Sequence, residues 1–120
     1  MKPILIAALL VTTPVLAADF PMPAAQWTAL VNKLRDSGGS LARNCYADEG
    51  YCASSIMSKP GPDGSRMMLM VLESARNGST SRIMCELNQF SDMRTCVNVD
   101  TGFVGKSLFD HQTGKWSDVK

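Results

Sequence analysis

Two apolar runs separated by Asn77-Gly78 constrain the fold of this chain more than any other feature. The run Arg-Met-Met-Leu-Met-Val-Leu-Glu-Ser-Ala begins at Arg66, and the run Thr-Ser-Arg-Ile-Met-Cys-Glu-Leu-Asn begins at Thr80. Asn and Gly both adopt positive φ at small cost, which a two-residue type I′ turn requires at both central positions. The sequence therefore predicts an antiparallel hairpin that turns at Asn77-Gly78.

This turn also predicts which residues of the two strands face each other. It gives one opposite-charge pair and two apolar pairs, namely Glu73–Arg82, Leu72–Ile83 and Met70–Cys85. Because side chains alternate along a strand, one face of the hairpin, the uniform face, is wholly apolar. The uniform face holds Met68, Met70, Leu72, Ile83, Cys85 and Leu87, whereas the mixed face holds Leu69, Val71 and Met84 with Glu73, Arg82 and Glu86. We expect a helix to cover the uniform face. The mixed face is either covered in part by the segment around Cys45 and Cys52, which we favour, or left open as a contact surface.

The N-terminal residues have the pattern of an export signal. Lys2 gives a basic start, an apolar run extends from Pro3 to Leu16, and Val15-Leu16-Ala17 forms a small-residue cleavage pattern. The apolar run is shorter than the roughly 20 residues that span a bilayer. We therefore predict a cleaved signal at residues 1–17 and a single domain at residues 18–120, with no membrane span after cleavage.

Four cysteines in an exported chain predict two disulfides. Three pairings are possible. The spacing favours Cys45–Cys52 with Cys85–Cys96, because each pair lies symmetrically about a central turn and can face across its own hairpin. Neither pair has the spacing of a zinc site, so no metal site is assigned.

The remaining pattern predicts one helix followed by more strands. Pro23 suits the first turn of a helix, and Gly38-Gly39 suits its end. Between them, one apolar stripe is formed by Trp27, Leu30, Val31 and Leu34. We predict a helix over residues 23–37, packed on an antiparallel β-meander of four to six strands that includes residues 104–110. The expected fold class is α+β with two disulfides.

Charge limits the classes of partner. Without Lys2 the chain has 11 basic and 11 acidic residues, and neither sign forms a run. Nucleic acid and anionic membranes both attract proteins with a basic surplus. We therefore expect no nucleic-acid partner.

Two features suggest chemistry. Asp100-Thr101-Gly102 resembles the catalytic loop of aspartic proteases over three residues, and His111 is the only histidine on which a nucleophile system could be built. A hydrolase that uses Asp100 or His111 is therefore one alternative function. Since no complete catalytic constellation is present, no catalytic residue is assigned and the enzyme question stays open.

Methionine is unusually frequent, with eight in the chain. Thioethers are soft ligands that suit Cu(I), so a copper carrier that uses Met68 and Met70 is a second alternative. Methionine is also an adaptable core residue, and the strand pattern divides these side chains between two faces. No cofactor is assigned.

The leading hypothesis is a small periplasmic or secreted binding protein without enzymatic activity, such as an inhibitor or an accessory component of an envelope complex. Its partner would be another envelope or extracellular protein, and the oligomeric state is left open. Disulfide-pinned loops present polar residues and one aromatic anchor. The candidate contacts are Asp48, Glu49, Phe90, Ser91 and Asp92.

Overall fold

The computed structural model describes residues 20–118, so the predicted export signal at residues 1–17 lies outside the described residues. Within these residues one helix, α1, precedes seven strands. The elements are α1 (Ala24–Asp36), β1 (Ser40–Tyr46), β2 (Tyr51–Met57), β3 (Arg66–Ser74), β4 (Thr80–Leu87), β5 (Met93–Asn98), β6 (Val104–Asp110) and β7 (Lys115–Asp118). Within residues 20–118, no helix is long and apolar enough to cross a membrane.

The strands form one antiparallel sheet in the order β1 to β7, so each strand pairs with its neighbours in sequence. This confirms the predicted meander and the α+β class. The predicted number of four to six strands was too low. The difference arises because β1 and β2 are full strands that continue the sheet, with β2 paired along its whole length to β3.

The helix ends where the glycines predict. Gly38 has φ +86°, its N–H donates to the carbonyl of Arg35, and the N–H of Gly39 donates to the carbonyl of Leu34. These two bonds form a Schellman motif, which satisfies carbonyls that the helix end would otherwise leave unpaired. A Cβ on Gly39 would lie 2.7 Å from the carbonyl oxygen of Leu34 and 3.0 Å from that of Met57. Glycine therefore lets the end of α1 lie directly against β2.

The central hairpin forms, but its predicted register was wrong by two residues. Glu73 lies opposite Thr80, and Arg82 lies opposite Val71. The connection is a loop of residues 75–79 in which Gly78 has φ +72°, while Asn77 does not have positive φ. The Asn77 side chain instead accepts a hydrogen bond from the N–H of Ser79 at 3.0 Å. Because a shift of two residues preserves the alternation, the two faces keep their predicted members.

The helix covers the mixed face, which contradicts the prediction that it covers the uniform face. The core between α1 and the sheet contains Met22, Trp27, Leu34, Ile56, Leu69, Met84, Val97 and Val99. Val97 and Val99 are both 0% exposed, so β5 and the residue after it extend the apolar part of the mixed face beyond the hairpin. The Cys45–Cys52 segment was expected to cover part of this face, whereas α1 provides the main cover.

Arg82 explains how a charged residue is accommodated under the helix. Its Nη2 donates to the carbonyl of Met22 at 2.6 Å and to the carboxylate of Asp100 at 2.5 Å. Its guanidinium also lies 5.5 Å from the centroid of the Trp27 ring. A polar group can be buried at low cost when its hydrogen bonds are made. Arg82 therefore fastens the segment before α1 to the sheet.

The uniform face carries a second, smaller apolar cluster. Met68, Cys85 and Leu87 are buried there, with Met57, Met70, Ile83 and Cys96 packed against them.

Both predicted disulfides are confirmed, with Cα–Cα distances of 3.9 Å for Cys45–Cys52 and 4.0 Å for Cys85–Cys96. Two disulfides are compatible with an oxidising compartment. The Cys85–Cys96 bridge joins β4 to β5 at directly paired positions.

Candidate functional site

The curled sheet forms a cavity on its uniform face. The cavity has a volume of about 260 Å³, and residues from five consecutive strands, β3 to β7, line it. Its lining residues are Met70, Leu72, Ile83, Arg94, Cys96, Asn98, Phe103, Gly105, Ser107 and Asp118. The lining thus combines apolar side chains from β3 and β4 with polar side chains from β5 to β7. We call this space the Arg94 cavity.

Arg94 is placed in the cavity by strand alternation. It lies two residues before Cys96 in β5, so it shares the cystine-bearing face, and its cross-strand neighbours are Leu87 and Ser107. Its guanidinium carbon lies 4.0 Å from the centroid of the Trp116 ring. Trp116 in turn lies 5.2 Å from Phe109, measured between ring centroids. The guanidinium therefore lies against an aromatic pair on β6 and β7.

Arg94 is half-buried, and its charge is incompletely used by the protein. Burial lowers the pKa of Arg94, while Tyr51, Tyr46 and Asp118 act in the opposite direction. Its Nε is buried and has no hydrogen-bond partner in the part of the chain that the structure describes. Among residues 20–118 no carboxylate forms an ion pair with it, since the ion pairs there are Arg43–Glu73 and Arg82–Asp100. Arg94 is therefore a desolvated cation with an unused donor.

Two tyrosines from the first hairpin lie within electrostatic reach of Arg94. Tyr46 and Tyr51 face each other across β1 and β2, with ring centroids 5.1 Å apart. Burial raises the pKa of Tyr51, and Glu49 raises it further. Both rings lie on the same side of the sheet as Arg94, because Tyr51 pairs with Ser74 on the uniform face.

A second cavity of about 210 Å³ lies where β4 meets the loop that precedes β3. Its lining residues are Asp63, Ser65, Glu86, Leu87, Asn88, Met93 and Thr95. Burial, followed by the charge of Asp63, raises the pKa of Glu86, whereas hydrogen bonds from Ser65 lower the pKa of Asp63. Among the described residues no group of three or more His, Cys, Asp or Glu side chains has the arrangement of a metal site.

The predicted contact residues lie on two separate turns. Asp48 and Glu49 are exposed in the turn between β1 and β2. Phe90, at the tip of the loop between β4 and β5, is 70% exposed. Ser91 and Asp92 are half-buried in the same loop. Across residues 20–118, no hydrogen bond or ion pair joins the two turns.

The Phe90 loop is internally braced. The side-chain oxygen of Asn88 accepts hydrogen bonds from the N–H groups of Asp92 at 3.1 Å and Met93 at 3.2 Å. The Asn88 amide donates to the Asp92 carboxylate at 2.8 Å, and the Asp92 carbonyl accepts a bond from the N–H of Phe109 at 2.7 Å. Asp92 therefore supports the loop, and Phe90 is the side chain that the loop presents.

The residues named for the hydrolase hypothesis lie outside both cavities. Asp100 is bound to Arg82, and the hydrogen bond from Arg82 lowers the pKa of Asp100. His111 is exposed and lies edge-on to Phe109, with ring centroids 5.0 Å apart. The residues named for copper lie together, since Met68 and Met70 both belong to the uniform face, while Met84 is buried on the mixed face. The positions of Asp100 and His111 give the hydrolase hypothesis no geometric support.

Sequence reasoning did not find Arg94 or its aromatic partner Trp116. The available signal was positional, because a residue two before a cross-strand cysteine shares the face of that cystine. A charged residue that faces the interior is normally paired with an opposite charge, so an unpaired one is unusual. The stacking on Trp116 joins β5 to β7, which are not adjacent strands, so it depends on the curl of the sheet.

Comparison of the chain with protein-family models, curated proteins and solved structures gives no match.

Proposed function

We propose that this protein is a small exported binding protein without enzymatic activity, which docks onto another envelope or extracellular protein. The observation that carries this proposal is the 70% exposure of Phe90 on a braced loop. A large aromatic side chain that is exposed on a rigid support contributes much contact area at low entropic cost. The loop therefore has the properties of an interface anchor.

Three further features favour this role. The Cys85–Cys96 bridge lies at the base of the loop and fixes the two strands that carry it. Cross-links of this kind are typical of small exported domains. The N-terminal pattern of residues 1–17 adds the periplasm or the exterior as the compartment. Asp48 and Glu49 supply a second exposed turn, whose acidic side chains suit the polar rim of an interface.

The test uses the mature chain with a photo-reactive phenylalanine analogue in place of Phe90, incubated with envelope and secreted fractions of the native cell. We expect one discrete adduct that unlabelled wild-type protein abolishes by competition and that a Phe90→Ser competitor abolishes much less. The matched control places the same analogue at Leu41, which is 69% exposed on the edge strand β1.

The two positions separate a specific anchor from general stickiness. An adduct at position 90 that is absent at position 41 sustains the proposal. The proposal fails if position 90 gives no adduct, if both positions give the same adducts, or if Phe90→Ser competes as well as wild type.

A further inference from the structure

Arg94 combines a positive charge, a buried unpaired Nε and an apolar cavity. An unmade hydrogen bond at a buried donor is costly, so such groups call for an explanation in a folded protein. Arg82 on the other face shows that this chain does partner an arginine where the arginine serves the fold. We propose that the Arg94 cavity is a binding site for a small organic carboxylate with a compact apolar body.

The charge of Arg94 selects the head group. A guanidinium presents its donors in a planar fork that matches a carboxylate through two parallel hydrogen bonds. Such bonds are stronger than neutral ones, and they strengthen further where water is excluded. A carboxylate in the cavity would give the guanidinium the ion-pair partner that it lacks among residues 20–118.

The Trp116 ring contacts the guanidinium of Arg94. Trp116 lies 4.0 Å from the guanidinium carbon, which is close enough for stacking and a cation–π interaction. Arg94 keeps this contact while it lines the cavity.

The lining and volume select the body of the ligand. Met70, Leu72 and Ile83 provide apolar side chains on the β3 and β4 side of the cavity. At about 260 Å³ the cavity is smaller than the roughly 300–1,000 Å³ of typical ligand pockets. The ligand is therefore short, with its apolar group next to the carboxylate.

The negative charge of Asp118 opposes the binding of an anionic ligand at Arg94. It lines the same cavity and raises the pKa of Arg94, but it is exposed on β7 and forms no ion pair with Arg94 among the described residues. Removing its charge should therefore strengthen the attraction between Arg94 and an external carboxylate.

The first experiment uses the purified oxidised wild-type protein and two matched probes, hydrocinnamate and its uncharged amide. Binding is followed by the ¹H–¹⁵N shifts of the Arg94 side chain and of the Trp116 indole. We expect saturable shifts at both groups with hydrocinnamate, and binding of the amide weaker by about tenfold or more, as for loss of a charge-assisted hydrogen bond. Equal binding of acid and amide would overturn the proposal, and so would shifts confined to residues outside the cavity.

Three variants then assign the effect to Arg94. Arg94→Met should abolish the preference for acid over amide, whereas Arg76→Met, the same change at an exposed turn, should leave it intact. Asp118→Asn should bind hydrocinnamate more tightly than wild type. Retention of the acid preference in Arg94→Met would contradict the proposal, as would its loss in Arg76→Met.

This site is independent of the partner proposed for Phe90. The titrations use purified protein and small probes, so failure to find a partner leaves their outcome unchanged. Conversely, failure of hydrocinnamate to bind leaves the photo-adduct at position 90 unchanged.

Discussion

The two faces of the sheet treat a half-buried arginine in opposite ways. On the mixed face, Arg82 donates to the Met22 carbonyl and to Asp100 beneath the helix. On the uniform face, Arg94 stacks on Trp116 and its Nε has no acceptor. The first arginine closes a core, whereas the second lines a cavity. The mixed face has the more polar sequence, yet it holds most of the buried core. Its arginine is accommodated there because Met22 and Asp100 accept its hydrogen bonds.

This contrast separates a structural face from a functional face. Residues whose local arrangement lowers stability are often retained because they serve function. The mixed face supplies most of the core, including Leu69 at 2% exposure and Met84 at 1%. The uniform face combines a small apolar cluster with a cavity and an unsatisfied donor.

The largest expected difference between the faces comes from two adjacent residues of β3. Leu69 points to the mixed face and is 2% exposed, while Met70 points to the uniform face and is half-buried at the cavity wall. We expect Leu69→Ala to lower the free energy of unfolding by about 2–5 kcal/mol. Met70→Ala should lower it by about 1 kcal/mol, because its side chain leaves less new empty space.

Urea unfolding of the oxidised variants measures both values. If Met70→Ala lowered the free energy of unfolding as much as Leu69→Ala, the uniform face would be as well packed as the mixed face. The distinction between the two faces would then be lost.

The sequence predicted much of this fold because the signals were local. The stripe through Trp27 and Leu34 located α1, and the glycines after it located its end. Both cystines followed from symmetric spacing about their turns. The strand at Val104–Asp110 followed from the turns on either side. Each of these signals depends on neighbours within a few residues along the chain.

The errors arose where the outcome depended on distant residues or on one backbone angle. The register of the central hairpin shifted because only Gly78 adopts positive φ, which makes a longer loop than a type I′ turn. The choice of the covered face depended on partners for Arg82, and these lie at Met22 and Asp100. The Arg94 cavity depended on the curl that brings Trp116 to β5. Alternation assigns residues to faces, but it does not state what will cover them.

A smaller effect tests the role of Asp100 as the partner of Arg82. The hydrogen bond from Arg82 lowers the pKa of Asp100 in the folded state. A lowered folded pKa means that the carboxylate stabilises the fold above its unfolded pKa of about 4, and that this contribution is lost as pH falls below that value. We expect Asp100→Asn to be less stable than wild type at pH 7, and the gap to close on acidification below about pH 4.

The measurement is the urea midpoint at neutral and acidic pH, with Asp48→Asn at an exposed turn as the control. A gap between Asp100→Asn and wild type that stays constant with pH would show that the carboxylate charge is not what Arg82 requires.

The most direct test of the account compares Arg82→Met with Arg94→Met by equilibrium unfolding of the oxidised proteins. Both changes remove one guanidinium and keep an apolar stem. We predict that Arg82→Met costs about 2 kcal/mol, since it removes hydrogen bonds made by a charged group. Arg94→Met should stay within about 1 kcal/mol of wild type or be more stable, as expected when a poorly partnered buried charge becomes apolar. Equal losses in the two variants would contradict the claim that Arg94 is kept for a ligand and Arg82 for the fold.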